Sequence, residues 1–201
     1  MSSTEPRVST RLAGDVRRRQ IRAEAARLFD EFGYGETSMD RIAEAVGIRK
    51  ASLYYYFPSK DRLLIEMHDE MLELITSAHE TRVDAGATAE TQVVGMMTDI
   101  ISLQETHPGS LRVFFEHYRE LPDPERGEII ARRSRYGDFM RQALEAGIAS
   151  GEFAPMDARL TSFAILGMAN WSYQWFTPGG RMSAADVAAS FWAVAKNGIA
   201  T

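Results

Sequence analysis

Apolar residues recur along this chain at helical spacing, and no segment alternates apolar and polar residues in the way that predicts a strand. The first amphipathic face consists of Ile21, Ala25, Leu28, Phe29 and Phe32. The glycines on either side of Tyr34 then end this helix. The pattern predicts an all-α protein of about nine helices, in which three short helices precede six that are mostly longer.

Two short helices joined by a glycine-containing turn follow the first. We expect the second helix to begin at Thr37, whose hydroxyl caps it while Asp40 supplies the reciprocal carboxylate, and to end at the next glycine. The third covers residues 49–56, because Pro58 disfavours helical geometry at Phe57. Such a pair is typical of a helix-turn-helix, whose second helix enters the DNA major groove.

Six further helices are expected, and capping residues mark several of their ends. They cover residues 60–83, 89–105, 108–120, 123–149, 158–176 and 184–197. Ser59 and Asp157 are suited to cap helix N-termini, and Pro108 is suited to a first helical turn. Ser183 and Asp186 have the spacing of a capping box.

Composition narrows the class of protein. The 201 residues are 45% hydrophobic and 25% charged, as expected for a globular chain with a buried core. The lack of cysteine excludes disulfides, a thiolate nucleophile and a cysteine-ligated zinc. The first six residues lack the apolar run of a secretory signal, and no apolar stretch is long enough to cross a bilayer. We therefore expect a cytoplasmic protein with no membrane partner.

Charge divides the chain into two parts. The formal net charge of −5 argues on its own against a nucleic-acid partner, because phosphate binding needs Lys and Arg. Residues 1–62, however, contain 12 Lys or Arg against 9 Asp or Glu, whereas residues 63–201 contain 11 against 19. A basic head on an acidic body is typical of a DNA-binding protein with a separate sensing or assembly domain.

The third helix carries more hydrogen-bond donors than a buried turn can satisfy. It begins with Arg49 and Lys50 and ends with three consecutive tyrosines. The alternative is a solvated basic end with tyrosines packed for apolar area. Because three consecutive tyrosines cannot all face one core, at least one must face solvent or a partner.

The residues between Ile21 and Leu64 resemble the N-terminal domain of the TetR family of bacterial transcriptional regulators. The markers are an A-A-x-x-L-F helix, G-Y followed by T-S, I-A-x-x-x-G-I, L-Y-x-x-F and S-K-D-x-L-L. The resemblance implies a helix-turn-helix DNA-binding domain over residues 15–59 and a helical effector-binding and dimerisation domain over 60–201. Residues 1–14 would form a flexible basic arm; its arginines, with those at 17–19, either reach a minor groove or lie in a solvated tail.

The resemblance also implies which side chains contact DNA. These are Ser38, Arg49, Lys50, Ala51, Ser52, Tyr54, Tyr55 and Lys60. Those at the start of the third helix would read base edges, and the two tyrosines would contact phosphates or a thymine methyl. The serine and lysine at the starts of the second and fourth helices would clamp backbone phosphates. Tyr56 departs from the family's usual His, and both packing and contact remain open for it.

Adaptable side chains in the central helices are candidates for an effector pocket, since thioethers and aromatics repack around an apolar ligand, although they equally suit an ordinary core. The candidates are Met67, Met71, Met97, Phe114, Phe115, Tyr118, Tyr136, Phe139, Met140, Trp171 and Trp175. The segment 171–183 resembles the C-terminal signature of TetR-type regulators of fatty-acid and sterol catabolism, whose effectors are often acyl-CoA thioesters. Arg119, Arg135 or Arg181 would then meet the CoA headgroup.

The last two long helices are the family's dimer contacts, and burial in the same subunit is the alternative. The interface candidates are Leu160, Phe163, Ala164, Gly167, Phe191 and Trp192. His68 and His79 lie too far apart on one helix for joint chelation, so neither a metal site nor a cofactor is expected.

These features predict a ligand-responsive repressor that binds a palindromic DNA operator as a homodimer and is released by a small apolar or amphipathic effector, with an acyl-CoA thioester as one candidate. The alternatives are a response to a different ligand class, such as a drug or aromatic compound, or a DNA-binding module without an effector. We do not expect an enzyme, because the chain has no Ser-His-Asp arrangement at a strained turn and no glycine-rich phosphate loop.

Overall fold

The computed structural model describes residues 5–199, with side chains for 14–197. Its helices are α1 (Glu5–Phe32), α2 (Met39–Val46), α3 (Lys50–Tyr56), α4 (Lys60–Asp84), α5 (Ala89–Thr106), α6 (Ser110–Glu116), α7 (Asp123–Ser150), α8 (Ala158–Asn170) and α9 (Ala184–Ile199). Two 3-10 helices follow α6 and α8 directly, at His117–Glu120 and Trp171–Gln174. No strand occurs in the described range, so the all-α prediction is confirmed.

The first helix begins within the predicted N-terminal arm, since residues 5–14 belong to α1. The flexibility of the arm, residues 1–14, stays a prediction. Pro6 lies in the first turn of this helix, where a missing N–H removes no intrahelical hydrogen bond. Residues 1–4 and the side chains of Arg7 and Arg11 lie outside the described part of the chain.

The cap of α2 is Ser38, not Thr37. The hydroxyl of Ser38 accepts a hydrogen bond from the backbone N–H of Arg41 at 3.2 Å. Thr37 is fully buried, and its hydroxyl donates to the carbonyls of Gly33 at 2.9 Å and Leu28 at 3.2 Å. The threonine therefore fixes the turn after α1 and is not available to cap α2.

Other helix ends agree with the sequence in part. The caps at Ser59 and Asp157 and the capping box at Ser183 form as predicted. Two long predicted helices are shorter in the structure: α6 begins two residues after Pro108, and both α6 and α8 give way to 3-10 turns. These tighter turns change the chain direction before α7 and before the loop that leads to α9.

The described helices enclose two hydrophobic cores. The first, here called the head core, is centred on Phe29, Ile42, Leu53 and Phe57 from α1, α2 and α3. The second, the body core, lies among α4, α5, α7, α8 and α9. The N-terminal half of α4 supplies fully buried leucines to the head core, and its later turns supply Met71, Leu72 and Ile75 to the body core. The packing boundary therefore falls within α4 rather than at its first residue.

Ion pairs reinforce α4 from both sides. On the α1 side, Arg18 pairs with Glu66 at 2.5 Å, and Arg22 contacts Glu70 through two hydrogen bonds of 2.8 and 2.9 Å. On the α7 side, Arg132 pairs with Asp69. These side chains are partly shielded from solvent, so the pairs are screened less than fully exposed ones.

His68 joins α4 to α6 inside the protein. Its side chain is fully buried, with Nδ1 2.8 Å from the carbonyl oxygen of Leu64 and Nε2 3.2 Å from that of Phe114. The imidazole also stacks on the Phe114 ring at a centroid distance of 5.1 Å. Burial disfavours the charged imidazolium and lowers the pKa of His68 to about 4.

Gly147 lies at a close contact of α7. A Cβ at this position would collide with the ring of Phe153 and would lie 2.9 Å from the Cβ of Ala89. Gly127 is on the same helix, and a Cβ there would meet nothing within 4 Å.

None of the helices in the described range has a stretch both long and apolar enough to span a lipid bilayer.

Acid is expected to weaken the fold through His68. In the unfolded chain His68 binds a proton near the ordinary histidine pKa of 6.5, whereas in the folded chain it does so only near 4. The contribution of His68 to the free energy of unfolding is therefore fully present above pH 6.5 and is lost as the pH falls towards 4. The loss attributable to His68 is about 2 kcal/mol at pH about 5. Urea unfolding above pH 6.5 and at pH about 5 should show a smaller loss of stability in His68→Leu than in wild type. The control is His107→Gln, at a half-buried position, which should lose as much stability as wild type. An unchanged loss in His68→Leu would contradict the assignment of the acid sensitivity to His68.

Gly147→Ala is expected to lower the free energy of unfolding by about 1–3 kcal/mol, because the new methyl group overlaps an aromatic ring in a filled core. Gly127→Ala serves as the control on the same helix. It should raise stability by up to about 1 kcal/mol, because alanine is the better helix former. Chemical denaturation measures both, and equal effects of the two substitutions would show that the contact at Gly147 is not tight.

Candidate DNA-binding surface and ligand cavity

The turn between α2 and α3 sets the angle of the third helix. Gly47 ends α2 in the left-handed region, with φ 70°, and its N–H bonds back to the last turn of α2. The N–H of Ile48 then donates to the carbonyl of Ala43 at 2.9 Å. Leu53 and Phe57 are fully buried against α1 and α2, so the remaining surface of α3 faces outwards.

Six of the predicted DNA contacts lie on this outward surface. Every side chain in the set Arg49, Lys50, Ala51, Ser52, Tyr54 and Tyr55 is exposed. Tyr55 is 84% exposed, which is unusual for an aromatic side chain unless it meets a partner. The ammonium of Lys50 pairs with Asp40 at 2.8 Å, and the hydrogen bond to this carboxylate raises the pKa of Lys50.

The other two predicted contacts lie at helix starts. Ser38 is exposed at the start of α2. Lys60, at the start of α4, donates a hydrogen bond from Nζ to the backbone carbonyl of Tyr34 at 2.6 Å. The same nitrogen lies 4.1 Å from the centroid of the Tyr34 ring. Burial and a hydrogen bond to Asp61 raise the pKa of the Tyr34 hydroxyl, so it stays neutral. Lys60 is thus held against the turn after α1.

Two residues have packing roles in the head. Tyr56 is half-buried, with its ring edge-on to Tyr55 at a centroid distance of 5.4 Å. Arg18, which the sequence placed among the candidates for a minor-groove contact, donates to the carbonyl of Tyr56 at 2.8 Å and lies 4.6 Å from the Phe57 ring. Arg18 therefore anchors the end of α3.

A cavity of about 570 Å³ opens between α4, α5, α6, α7 and α8. This volume suits a ligand of the size of a small drug. Four of the predicted effector residues line it: Met71, Phe114, Phe115 and Tyr136. The cavity therefore combines apolar side chains from α4 with aromatic side chains from α6 and α7.

The structure places the other seven effector candidates elsewhere. They are Met67, Met97, Tyr118, Phe139, Met140, Trp171 and Trp175. The methionines fill the head or body core, and Phe139 stacks on His79. Tyr118 packs against Arg133, while the two tryptophans are exposed. Core filling and cavity lining both need apolar residues at helical spacing, so the pattern does not separate them.

Sequence reasoning missed the polar wall of the cavity. One face of α7 supplies Ile130, Arg133, Ser134, Gly137, Asp138 and Arg141, and α8 adds Arg159, Ser162 and Asn170. The α7 residues recur at helical spacing, which was a readable signal of a mixed polar and apolar face. By contrast, Arg119, Arg135 and Arg181, the predicted headgroup cations, are exposed and do not line the cavity.

An apolar face on α8 and α9 contains most of the predicted dimer contacts. Leu160 is 67% exposed, and Phe163, Ala164 and Gly167 are exposed beside it; Val194 on α9, 70% exposed, is an addition. The remaining two candidates differ. Phe191 is half-buried against Trp175.

Trp192 is buried within its own subunit. Its indole N–H donates to Glu90 at 2.7 Å, and its ring packs edge-on to Phe153. It is therefore part of the body core, and the prediction that it is presented to a partner is wrong. The reason is that α9 packs its Trp192 face on α5, which leaves only the opposite face of α9 exposed.

Comparisons with known proteins agree with this architecture. Residues 21–67 match the model of bacterial regulatory proteins of the tetR family, and residues 86–199 match the tetracyclin repressor-like C-terminal domain. The HTH-type transcriptional repressor KstR2 of Mycobacterium tuberculosis is 28% identical over 194 residues, covering 94% of this chain and 96% of that protein.

Two solved structures are also similar along almost their whole length. PfmR, a TetR family transcriptional regulator from Thermus thermophilus, is 31% identical with a TM-score of 0.80, covering 87% of this chain and 96% of its own. AibR in complex with isovaleryl coenzyme A and operator DNA is 29% identical with a TM-score of 0.76, covering 90% and 97%. The C-terminal match alone spans more than half of the chain. This chain therefore belongs to the TetR family of bacterial regulatory proteins.

Proposed function

We propose that this protein is a cytoplasmic transcriptional repressor that binds a palindromic operator as a homodimer and releases it when a small effector fills the cavity. The observation that carries the proposal is the outward surface of α3, where a helix anchored by Leu53 and Phe57 presents six exposed candidate contacts. A helix of this kind fits the major groove. The acidic body repels the duplex, so only the basic heads face it.

The candidate DNA contacts divide into two kinds. Lys50, Ala51 and Ser52 lie at the start of α3, where base edges are read, and Lys50 exchanges its salt bridge with Asp40 for a base edge. Ser38 and Lys60 lie at the N-termini of α2 and α4 and hold backbone phosphates. Tyr54, Tyr55 and Arg49 supply further contacts along the same surface.

A homodimer gives the protein two recognition helices. One helix-turn-helix contacts too few bases for a selective site, and a two-fold dimer reads both halves of a near-palindrome. The exposed apolar face of α8 and α9 supports this arrangement, because such a face gains free energy when a second copy covers it.

The DNA-binding head covers residues 15–59, and the effector binds to the body, residues 60–201. Effector binding shifts the population towards a conformation in which the two recognition helices of the dimer no longer have the spacing of the operator half-sites, and α4 connects the cavity to the head. The apolar cavity supports an apolar or amphipathic effector, and the similarity to AibR, described with isovaleryl coenzyme A, supports an acyl-CoA thioester as one member of that class. A drug or aromatic effector, and a DNA-binding module with no effector, are the alternatives.

Lys50→Ala and Lys60→Ala are expected to weaken DNA binding in different ways. Lys50→Ala should reduce operator affinity more than affinity for random duplex, by about 1–3 kcal/mol, because it removes a base contact. Lys60→Ala should weaken both and reduce the salt slope by about one per subunit, because it removes a phosphate contact. Fluorescence anisotropy against an inverted repeat flanking the gene, at several salt concentrations, measures both effects.

Lys196→Ala on α9 is the matched control, since Lys196 is the third lysine of the chain and lies outside the head. It should leave both affinities unchanged. Equal losses on both DNAs in both variants would contradict the division of roles. If duplex DNA is not bound even at low salt, the repressor proposal itself is wrong.

Leu160→Asp is expected to convert the dimer to a monomer, because it places a charge within an apolar interface. Val194→Asp tests the exposed apolar side of α9. Sedimentation velocity should show a loss of the dimer at micromolar concentration, and operator binding should weaken in parallel. Val83→Asp is the control, since Val83 is exposed at the end of α4 and is not part of that face. A stable dimer in both interface variants would place the contact elsewhere.

A further inference from the structure

Arg133 is the most enclosed cation of the cavity wall. It lies on the cavity-facing side of α7, and its guanidinium carbon is 4.8 Å from the ring centroid of Phe114, 5.2 Å from that of Phe115 and 4.7 Å from that of Tyr118. Burial lowers the pKa of Arg133, yet an arginine stays protonated in proteins. The cavity wall therefore contains a partly desolvated positive charge.

This charge has no carboxylate partner in the part of the chain that the structure describes. Its neighbours on α7 do: Arg132 pairs with Asp69, and Arg141 pairs with Glu145 and Asp138. Arg133 instead contacts the Tyr118 side chain and makes one long hydrogen bond, 3.5 Å from Nη1 to the carbonyl of Phe114. A half-buried cation held by aromatic side chains and a weak bond lacks the charge partner that its neighbours have, and an anion is the group that supplies one.

The shape of the guanidinium decides which anions fit. Its planar fork of N–H donors pairs with two oxygens of a carboxylate or phosphate at once. Two more arginines, Arg141 and Arg159, line the cavity. The one acidic residue of the lining, Asp138, forms an ion pair with Arg141. The rest of the wall is mostly apolar, with aliphatic side chains from α4, α5 and α6 and aromatic rings from α6, α7 and α8, and it includes the polar residues Ser134, Ser162 and Asn170. The cavity thus offers positive charge on one side and an apolar surface on the other.

We propose that the effector is an amphipathic organic anion whose acidic group pairs with Arg133 while its apolar body fills the cavity. This inference rests on the proposed function and names the chemical class of its effector. Both a free carboxylic acid and a CoA thioester, through its phosphates, belong to this class.

The position of Arg133 also connects the anion to the DNA-binding head. The Phe114 carbonyl that accepts the hydrogen bond from Arg133 lies 3.2 Å from Nε2 of His68, and the Phe114 ring contacts both side chains. The other ring nitrogen of His68 contacts the carbonyl of Leu64, which is fully buried in the head core. An anion that draws the guanidinium towards the cavity releases Phe114 and with it the contact to α4.

The first test is calorimetric titration of the full-length, DNA-free protein with matched acid and alcohol pairs. The probes are decanoate with decanol, naphthylacetate with naphthylethanol, and decanoyl-CoA. At least one anion should bind about 10- to 100-fold more tightly than the alcohol with the same apolar body, because a hydrogen-bonded charge pair forms only with the anion. Comparison of the two carboxylates with decanoyl-CoA shows whether a carboxylate or the phosphates of CoA supply the negative charge.

Variants locate the charge. Arg133→Met keeps most of the length of the side chain without its charge, so the preference for the anion over the matched alcohol should vanish. Arg133→Lys keeps the charge without the fork and should retain part of the preference. The control is Arg135→Gln, since Arg135 is exposed on the same helix and does not line the cavity. Melting curves of each variant confirm that it is folded.

Release of DNA is the second readout. A saturating anion should raise the Kd for the operator at least 10-fold in wild type and leave it unchanged in Arg133→Met. Equal binding of acids, thioester and alcohols, or a preference that survives in Arg133→Met, would overturn the anion site while operator binding stands. Selective binding without release of the operator would overturn the connection through Phe114. Failure to bind duplex DNA at all would instead overturn the proposed function.

Discussion

Helix α4 is buried in two hydrophobic cores at once, and the rest of the structure depends on this. Its first two turns insert Leu63, Leu64 and Met67 into the head core, where they pack with the anchoring residues of α3. Its later turns insert Met71 and Leu72 into the body core, and both of these also line the cavity. Because close-packed cores resist gradual deformation, a shift of α4 at the cavity is transmitted to the head as a change in its position.

The electrostatics of the molecule follow the same division. The acidic body supplies carboxylates on α4 that hold arginines of α1, as in the pairs of Arg18 with Glu66 and Arg22 with Glu70. These arginines belong to the basic head by sequence, yet they are used for internal contact rather than for DNA. On the outer surface of the head, Arg49 and Lys50 are exposed at the start of α3, and Lys60 lies half-buried at the N-terminus of α4.

Much of the fold is readable from the sequence, since helical spacing of apolar residues and local capping chemistry act over a few residues. The division into nine helices and the exposed surface of α3 were predicted on these grounds. What local pattern does not settle is the competition for one side chain: Thr37 has the right spacing to cap α2, but its hydroxyl serves the turn after α1. Likewise, Met97 and Met71 look alike in sequence and both pack in the body core, and only the tertiary structure shows that Met71 also lines the cavity. Arg133 was missed because an arginine on a helix ordinarily faces solvent.

The imidazole of His68 meets a carbonyl oxygen at each of its two nitrogens. A neutral ring carries a single N–H, so only one of the two carbonyls receives a hydrogen bond at any moment. In one tautomer the imidazole donates to the preceding turn of α4 at Leu64, and in the other it bonds α4 to α6 at Phe114. In either tautomer His68 donates one hydrogen bond, and one of the two carbonyl oxygens receives none from it. When the proton is on Nδ1, α6 can move away from α4 without the loss of a hydrogen bond from His68.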